Sequence, residues 1–180
     1  LQPLECEYVP LAEALGRVLA TDIVSQQNVP SFDRSNYDGF AVRAEDTHGA
    51  SETNPIHLQQ LSESIATAVV PQLEVTEATT IPIATGGMLP RGADAVLMVE
   101  HSVLKSGQVH VYRSIHSGFG VACAGTDITA GEMVLRQGRM LTSRETGVLA
   151  AIGEATIPVV RKPKVAIVST GDEIIAPGEP

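Results

Sequence analysis

The sequence predicts a mainly β protein of the α+β class, and three observations support this prediction. Between Gly39 and about Arg113, short apolar stretches alternate with turn residues, which is typical of a β-rich domain. One helix is strongly indicated, in TSRETGVLAAIG at residues 142–153. Near the end, the apolar run VAIV (165–168) opens directly into a glycine–acid loop, as in the first strand of an α/β domain.

The first predicted element is a short helix in PLAEALGRVLA, residues 10–20. Its apolar residues have helical spacing, Pro stands at its start and Gly16 is expected to end it early. RVLATDIVS (17–25) then indicates extended chain. QQNVPSFDRS (26–35) indicates a loop, because it is rich in Pro, Ser, Asn and Asp.

The β-rich region contains five predicted strand stretches and one ambiguous segment. KSG at residues 105–107 is a good hairpin connection between the last two strands. ESIATAVVPQLEVTEA (63–78) is ambiguous, and its Pro71 and β-branched residues favour strand over helix. The five stretches are GFAVR (39–43), PIHLQQLSES (55–64), TTIPIAT (79–85), AVLMVEHSVL (95–104) and VHVYR (109–113).

The last third of the chain combines tight turns, the helix and two further strands. GTDITAGEMVLRQGRML (125–141) has glycines between apolar pairs, as in turns that join short strands. In the helix, Thr142 or Ser143 is the expected N-cap, Glu145 lies in the first turn, and Gly153 is the expected C-cap. EATIPVVRKPKVAIVST (154–170) predicts two strands separated at Lys162–Pro163.

Composition excludes several classes of function. The net charge of −9 repels a phosphate backbone, and three Phe, three Tyr and no Trp offer little for base stacking, so nucleic acid is a poor partner. No apolar run approaches the ~18 residues that a membrane span needs. Cys6 and Cys123 are isolated thiols without a CxxC pair, which favours a cytoplasmic location.

Four loops share a composition in which Gly stands beside an acid or hydroxyl, next to an apolar strand. Such loops allow close backbone approach to a ligand, donate hydroxyls to oxyanions, and hold Mg²⁺ or act as a base. Any one of them could equally be a solvated turn. The five His residues are scattered without a metal-ligand spacing, which favours surface histidines over a metal site. The loops are SNYDGF (35–40), ATGGMLPRGADAV (84–96), AGTDITAGE (124–132) and STGDE (169–173).

Taken together and in order, these motifs resemble a known family. VPSFDRSNYDGFAVR, IPIATGGMLPRGADAVLMVE, GTDITAGEMVLRQG and RKPKVAIVSTGDEIIAPG are similar to the molybdopterin molybdenumtransferases, also called MoeA, a family that includes the gephyrin E domain. The similarity extends over nearly all 180 residues. Several long motifs in fixed order are far more specific than any one of them.

The resemblance implies a chemistry and an assembly. Family members insert molybdenum from molybdate into adenylylated molybdopterin, release AMP and require Mg²⁺. An elongated homodimer is implied, with the active site between the β-rich domain of one subunit and the α/β domain of the other. Contact with other cofactor-synthesis proteins is possible within this interpretation.

The same resemblance implies a domain organisation. Residues 1–24 and 132–161 would form a discontinuous connecting domain, and residues 25–131 an inserted β-rich domain. Residues 162–180 would begin a truncated α/β molybdopterin-binding domain. The chain would then be an N-terminal fragment, inactive by itself, and its apolar VAIVS stub would be prone to pair with another molecule or to lie on the β-rich surface.

Site residues follow from the motifs. The resemblance makes Asp38, Thr85 and Glu173 catalytic. Asp38 would position molybdate-side groups or water, and Thr85 would donate to an oxyanion. Asp172 and Glu173 would hold Mg²⁺, while substrate would bind at Asp127, Ser169, Thr170 and Gly171.

The chain departs from the family pattern at several motif positions. Tyr37 stands where the family commonly has Met, Phe40 where it has Tyr, and Gly87 ends the TGA motif. The loop GVACAGTD (120–127) lacks the family's Arg, and Thr126 replaces a Glu. An alternative function is a non-catalytic binding or scaffold module with the same fold.

Overall fold

The structure is a computed structural model that describes residues 4–168, together with residues 175 and 178. The chain divides into two units, one formed by Leu1–Ile23 and Leu135–Pro180 and the other by Val24–Val134. The described residues form one α-helix, α1 (Ser143–Ala151), and these strands: β1 (Cys6–Pro10), β2 (Ile23–Val24), β3 (Arg34–Ser35), β4 (Gly39–Val42), β5 (Ile56–Gln60), β6 (Thr79–Ile83), β7 (Ala95–Met98), β8 (Ser102–Lys105), β9 (Gln108–Val111), β10 (Val121–Ala122), β11 (Met133–Leu135) and β12 (Thr156–Val160). The predicted mainly β, α+β class is confirmed.

The Val24–Val134 unit is built on one six-stranded sheet in the order β7-β4-β6-β5-β9-β8. Neighbouring strands are antiparallel except β5 and β6, which are parallel. All five predicted strand stretches of this region contain strands. The stretch at residues 95–104 is interrupted by a 3₁₀ turn at Val99–His101, which separates β7 from β8.

Apolar side chains cover both faces of this sheet. Successive residues of a strand point to opposite faces, so Ala41 packs in one cluster and Val42 in the other. The first cluster includes Ile65, Ile81 and Val96, and the second includes residues of β5, β7 and β9. The strands around β4 are therefore held on both sides, which fixes the position of the loops at their ends.

The other unit pairs β1 with β12 in an antiparallel sheet and adds α1. Leu19, Leu141, Leu149, Ile157 and Val159 are fully buried in this unit. The helix begins as expected from the sequence, because Thr142 caps it and its hydroxyl and amide both bond to the carboxylate of Glu145. It ends at Ala151 with Ile152 as C-cap, and Gly153 follows with a positive φ of 80°.

Two sequence predictions before the C-terminal segment are wrong. The segment at residues 10–20 forms only a 3₁₀ turn at Leu11–Glu13, since the chain reverses at Gly16 and the Gly16 N–H donates to the Leu141 carbonyl. Residues 63–78 form no strand, and their only β pairing is a single parallel bridge from Ile65 to Ile83 of β6. The N–H groups of Gln72 and Leu73 donate to the Glu63 carboxylate. They bond to this side chain and not to the backbone of a neighbouring strand.

The second C-terminal strand is also not formed in the described residues. Residues 161–168 have no regular secondary structure, and Ile167 is 91% exposed. A strand needs hydrogen-bonding partners, and residues 164–168 have none among the described residues. In the described part of the chain, no helix has the length and apolar character to cross a membrane.

The hydrogen bonds of Glu145 should make the stability of the fold depend on pH in the acid range. The Thr142 hydroxyl and then the Arg139 guanidinium lower the pKa of Glu145 from its ordinary 4.5 to about 2. A lowered folded-state pKa stabilises the fold above pH 4.5, and this contribution is lost as the pH falls toward 2. Glu145→Gln should therefore be less stable than the wild type at neutral pH, and the difference should shrink between these two pH values. Urea unfolding across the pH range measures this; a constant difference would contradict it.

Candidate functional site

The loop before β4 is shaped by a buried serine. Ser35 is 2% exposed, and its hydroxyl donates to the Tyr37 carbonyl at 2.5 Å and accepts from the Tyr37 N–H at 3.2 Å. The Asp38 carbonyl accepts from Val99 N–H at 3.2 Å, next to the end of β7. The backbone of residues 35–38 is thus bonded on both sides, and the Asp38 side chain is left exposed.

Gly39 allows β4 to run close to the backbone of β7. A Cβ atom at this position would lie 2.0 Å from the Leu97 carbonyl oxygen, far inside any permitted contact. Gly39 pairs with Met98 on one side and with Ile83 of β6 on the other. A glycine directly after the acid is therefore required by the sheet, and the position of Asp38 follows from it.

Asp38 and Thr85, which are 47 positions apart in sequence, are directly bonded. Asp38 Oδ1 accepts from the Thr85 N–H at 2.7 Å and from Thr85 Oγ1 at 2.9 Å. Because β4 and β6 are antiparallel, the residue before β4 and the residues after β6 meet at the same end of the sheet. The fold therefore brings together two of the three residues predicted to be catalytic.

These bonds determine the ionisation of Asp38. The Thr85 N–H, and then its hydroxyl, lower the pKa of the Asp38 carboxyl below its usual value, and desolvation opposes them only in part. The group is therefore charged at neutral pH and is a weak base. Its other oxygen, Oδ2, accepts no hydrogen bond from the described residues and faces solvent.

The Thr85 hydroxyl is engaged in holding this carboxylate. A hydroxyl has one proton, and here that proton points to Asp38 Oδ1. The Thr85 carbonyl in turn accepts from Thr67 Oγ1 at 3.1 Å, which fixes the backbone of the loop. In this arrangement Thr85 orients Asp38 and has no proton left for an oxyanion, which differs from the role expected from the sequence.

Strand β3 joins three of the four candidate loops. Its Ser35 exchanges backbone hydrogen bonds with the loop that carries Thr85, from Ser35 N–H to Gly87 at 2.9 Å and from Gly86 N–H to Ser35 at 2.8 Å. On its other side β3 pairs with β10, which leads into the loop that carries Asp127. The segment before Asp38 therefore lies between the other two loops.

Asp127 nevertheless lies beside Val29. Strands β3 and β10 are antiparallel, so the residues after β10 lie beside the residues before β3. Asp127 follows β10 in this way, and its N–H donates to the Val29 carbonyl at 2.9 Å. Asp33 Oδ1 accepts from the Ala124 N–H at 2.8 Å and holds this loop. Asp127 makes no hydrogen bond to Asp38 or Thr85.

Arg34 is a further candidate site residue, which the sequence motifs did not single out. It lies on β3, between the Thr85 and Asp127 loops, and is half-buried. Ser35 points into the protein, so Arg34 points to the opposite face. Among the described residues its guanidinium forms neither an ion pair nor a hydrogen bond. The available signal was a basic residue inside the same motif as Asp38.

The remaining predicted site residues, Ser169, Thr170, Gly171, Asp172 and Glu173, lie outside the described residues. Within the described part of the chain, no group of three or more His, Cys, Asp or Glu side chains is arranged to hold a metal ion. The described candidate site thus consists of one charged carboxylate and the threonine that orients it, with Arg34 on the adjoining strand β3.

Comparison with known proteins supports the resemblance seen in the sequence. The sequence profile of the MoeA N-terminal region (domain I and II) matches residues 1–153. The chain is 39% identical over 180 residues to the molybdopterin molybdenumtransferase of Bacillus subtilis. This alignment covers 98% of the chain and 42% of the Bacillus protein. It is 38% identical over 172 residues to molybdopterin molybdenumtransferase 2 of Mycobacterium tuberculosis, covering 96% and 42% respectively.

A solved structure shows the same fold. The crystal structure of the molybdopterin biosynthesis moeA protein from Pyrococcus horikoshii OT3 superposes with a TM-score of 0.86 and 43% sequence identity, covering 97% of this chain and 46% of that one. The chain therefore spans less than half the length of these relatives.

The Thr85 bonds predict a change in the pKa of Asp38. Thr85→Val removes the hydroxyl donor but keeps the backbone N–H, so the pKa of Asp38 should rise toward its usual value. Thr85→Ser should leave it low. ¹³C NMR titration of the carboxyl carbon measures this value. Thr53→Val is the control, because the Thr53 hydroxyl bonds to Ser51 and not to the loop that carries Thr85. An unchanged pKa in Thr85→Val would contradict the assignment.

Gly39→Ala should destabilise the protein by about 1–3 kcal/mol or more, because the methyl group cannot fit against the Leu97 carbonyl. Gly147→Ala is the matched control, since a Cβ at that position in α1 meets open space. That variant should gain about 0.5–1 kcal/mol from helix propensity. Denaturant unfolding compares the two, and equal effects of the same sign would refute the packing argument.

Proposed function

Because this chain belongs to the MoeA family, matched through its N-terminal region, we propose that its protein inserts molybdenum from molybdate into adenylylated molybdopterin and releases AMP. The observation that carries this proposal is the pair of hydrogen bonds from Thr85 to Asp38. These are two of the three residues that the family motifs single out in the β-rich part of the chain, the third being Asp127. The direct contact of Asp38 with Thr85 supports a working site and not two unrelated turns.

Asp38 acts as a fixed, charged acceptor. Its lowered pKa argues against a role as general base, because a base works best when its pKa is near the operating pH. Its free oxygen can orient a water molecule or a cation beside the anionic substrates. Thr85 is a positioning residue in this scheme, since it acts through the carboxylate that it holds.

Arg34 supplies the positive charge that the anionic substrates require. Its guanidinium can donate two parallel hydrogen bonds to an oxyanion such as molybdate or a phosphate. The protein has a net charge of −9, so a cationic group at the site is needed to offset repulsion of these substrates. We include Arg34 in the proposed site for this reason.

Mg²⁺ fits the described residues as a partner of one carboxylate. This cation is usually held by one or two carboxylates, with water and substrate phosphates completing its coordination, and the free oxygen of Asp38 offers one such ligand. Asp172 and Glu173 are the other proposed ligands. When bound, Mg²⁺ would neutralise charge on the phosphate whose bond is broken. Asp127, Ser169, Thr170 and Gly171 remain proposed substrate contacts, and Glu173 a proposed catalytic residue.

The assembly and setting are part of the same proposal. The protein would act in the cytoplasm as a homodimer, with a partner's α/β domain completing the site. Residues 25–131 would be the inserted β-rich domain, residues 1–24 with 132–161 the connecting domain, and residues 162–180 the start of the α/β domain.

Asp38→Asn should lower the rate of AMP release by about 10²-fold or more in the intact protein, because it removes a preorganised charge from the site. The assay uses adenylylated molybdopterin, molybdate and Mg²⁺. Thr85→Val should have a smaller effect and Thr85→Ser almost none. Arg34→Gln should raise the KM for molybdate. Glu52→Gln, an exposed carboxylate elsewhere in the unit, is the control.

The outcomes separate the alternatives. An unchanged rate in Asp38→Asn would refute the role of that residue while leaving the function in place. No AMP release by the wild-type intact protein would refute the transferase function. It would leave the non-catalytic binding module as the remaining interpretation of the fold.

A further inference from the structure

Two histidines face each other on the six-stranded sheet. His57 of β5 and His110 of β9 are direct partners across antiparallel strands. Their ring centroids are 4.2 Å apart and the ring planes are tilted by 40°. Local sequence pattern does not indicate this pair, since the two residues belong to different predicted strands and share no ligand motif.

Both rings point away from the core cluster that contains Leu58, Val109 and Val111. Leu58, Val109 and Val111, which flank the two histidines in sequence, are all buried in the core. Alternation along each strand therefore directs His57 and His110 outward. His57 is exposed and His110 is half-buried, so ring nitrogens of the pair are accessible to an ion from solvent.

The chemistry of the pair suits a metal ion that prefers nitrogen ligands. A metal binds a neutral imidazole through a ring nitrogen, and the two rings lie side by side as direct partners across the strands. Two imidazole nitrogens at about 2.0–2.1 Å from one metal lie about 3 Å from each other. Rings whose centroids are already 4.2 Å apart can reach that separation by side-chain rotation alone.

We propose that His57 and His110 form a two-histidine chelate for a divalent transition cation of the Cu²⁺, Ni²⁺ and Zn²⁺ class. No third His, Cys, Asp or Glu completes a ligand set among the described residues, so water would fill the other positions. Such a site should follow the usual affinity order, with Cu²⁺ bound most tightly. Mg²⁺ should not bind, because it prefers oxygen ligands.

Lys105 provides a way to tune the site. It lies on β8 opposite Gln108, two residues before His110 on β9. Gln108 and His110 share a face of β9, so Lys105 lies on the face of the two histidines, where its positive charge should weaken binding of a cation. Removing this charge should strengthen metal binding without changing a ligand, which a purely structural stacking of two rings would not predict.

The test is isothermal titration calorimetry of the chelator-stripped intact protein with Ni²⁺ and with Cu²⁺. His57→Asn and His110→Asn should each raise the Kd by about tenfold or more, because a single imidazole loses the chelate advantage. The variant that carries both substitutions should bind these ions no more tightly than either single variant. Lys105→Gln should lower the Kd, and Mg²⁺ should give no competition.

His116→Asn is the matched control, because His116 is another exposed histidine of this unit but packs on Phe119 and not on a second imidazole. Its Kd should stay within about twofold of the wild type. Cu²⁺ electron paramagnetic resonance should show two nitrogen ligands in the wild type. The proposal is overturned if the wild type does not bind these ions, or if the double variant binds them equally well. Circular dichroism confirms that each variant is folded.

Discussion

The close approach of β4 to its two neighbours determines the geometry of the candidate site. Gly39 pairs with both Met98 and Ile83, and on the β7 side no side chain larger than hydrogen fits, since a Cβ would lie 2.0 Å from the Leu97 carbonyl oxygen. Asp38 precedes this point directly. The backbone next to Asp38 is therefore paired on two sides and packed on both faces of the sheet, so the carboxylate projects from a rigid strand end and not from a flexible loop.

A second constraint acts through β3. This short strand bonds to the loop that carries Thr85 on one side and to β10 on the other. The loops that carry Asp38, Thr85 and Asp127 are therefore connected through one strand. Under the proposed function, this arrangement would let an acidic protein build a site for anions: the carboxylate of Asp38 is held by donors from Thr85, and Arg34 lies on the connecting strand. Charge in the site is thus arranged locally and does not follow the net charge of the chain.

Local sequence rules succeeded where the determining contacts are close in sequence. The capping residues of α1, Thr142 and Glu145, lie within one turn of each other, and the hairpin at residues 105–107 needs only its own positive φ angles. They failed where distant residues decided the outcome. The helical spacing at residues 10–20 was overridden by the hydrogen bond from Gly16 to Leu141, and the strand at residues 63–78 by the hydrogen bonds to the Glu63 carboxylate.

By itself the sequence determined the fold class, the main strands of the β-rich region and the family to which the chain belongs, because these depend on residue periodicity and on long motifs in fixed order. It also predicted Asp38 and Thr85 as site residues, and the structure shows that these two are in direct contact. Only the tertiary structure decided that Thr85 donates its proton to Asp38, that Asp127 lies beside Val29, and that His57 faces His110. Each of these depends on strand order and register, which are set by packing between distant segments and cannot be read from local pattern.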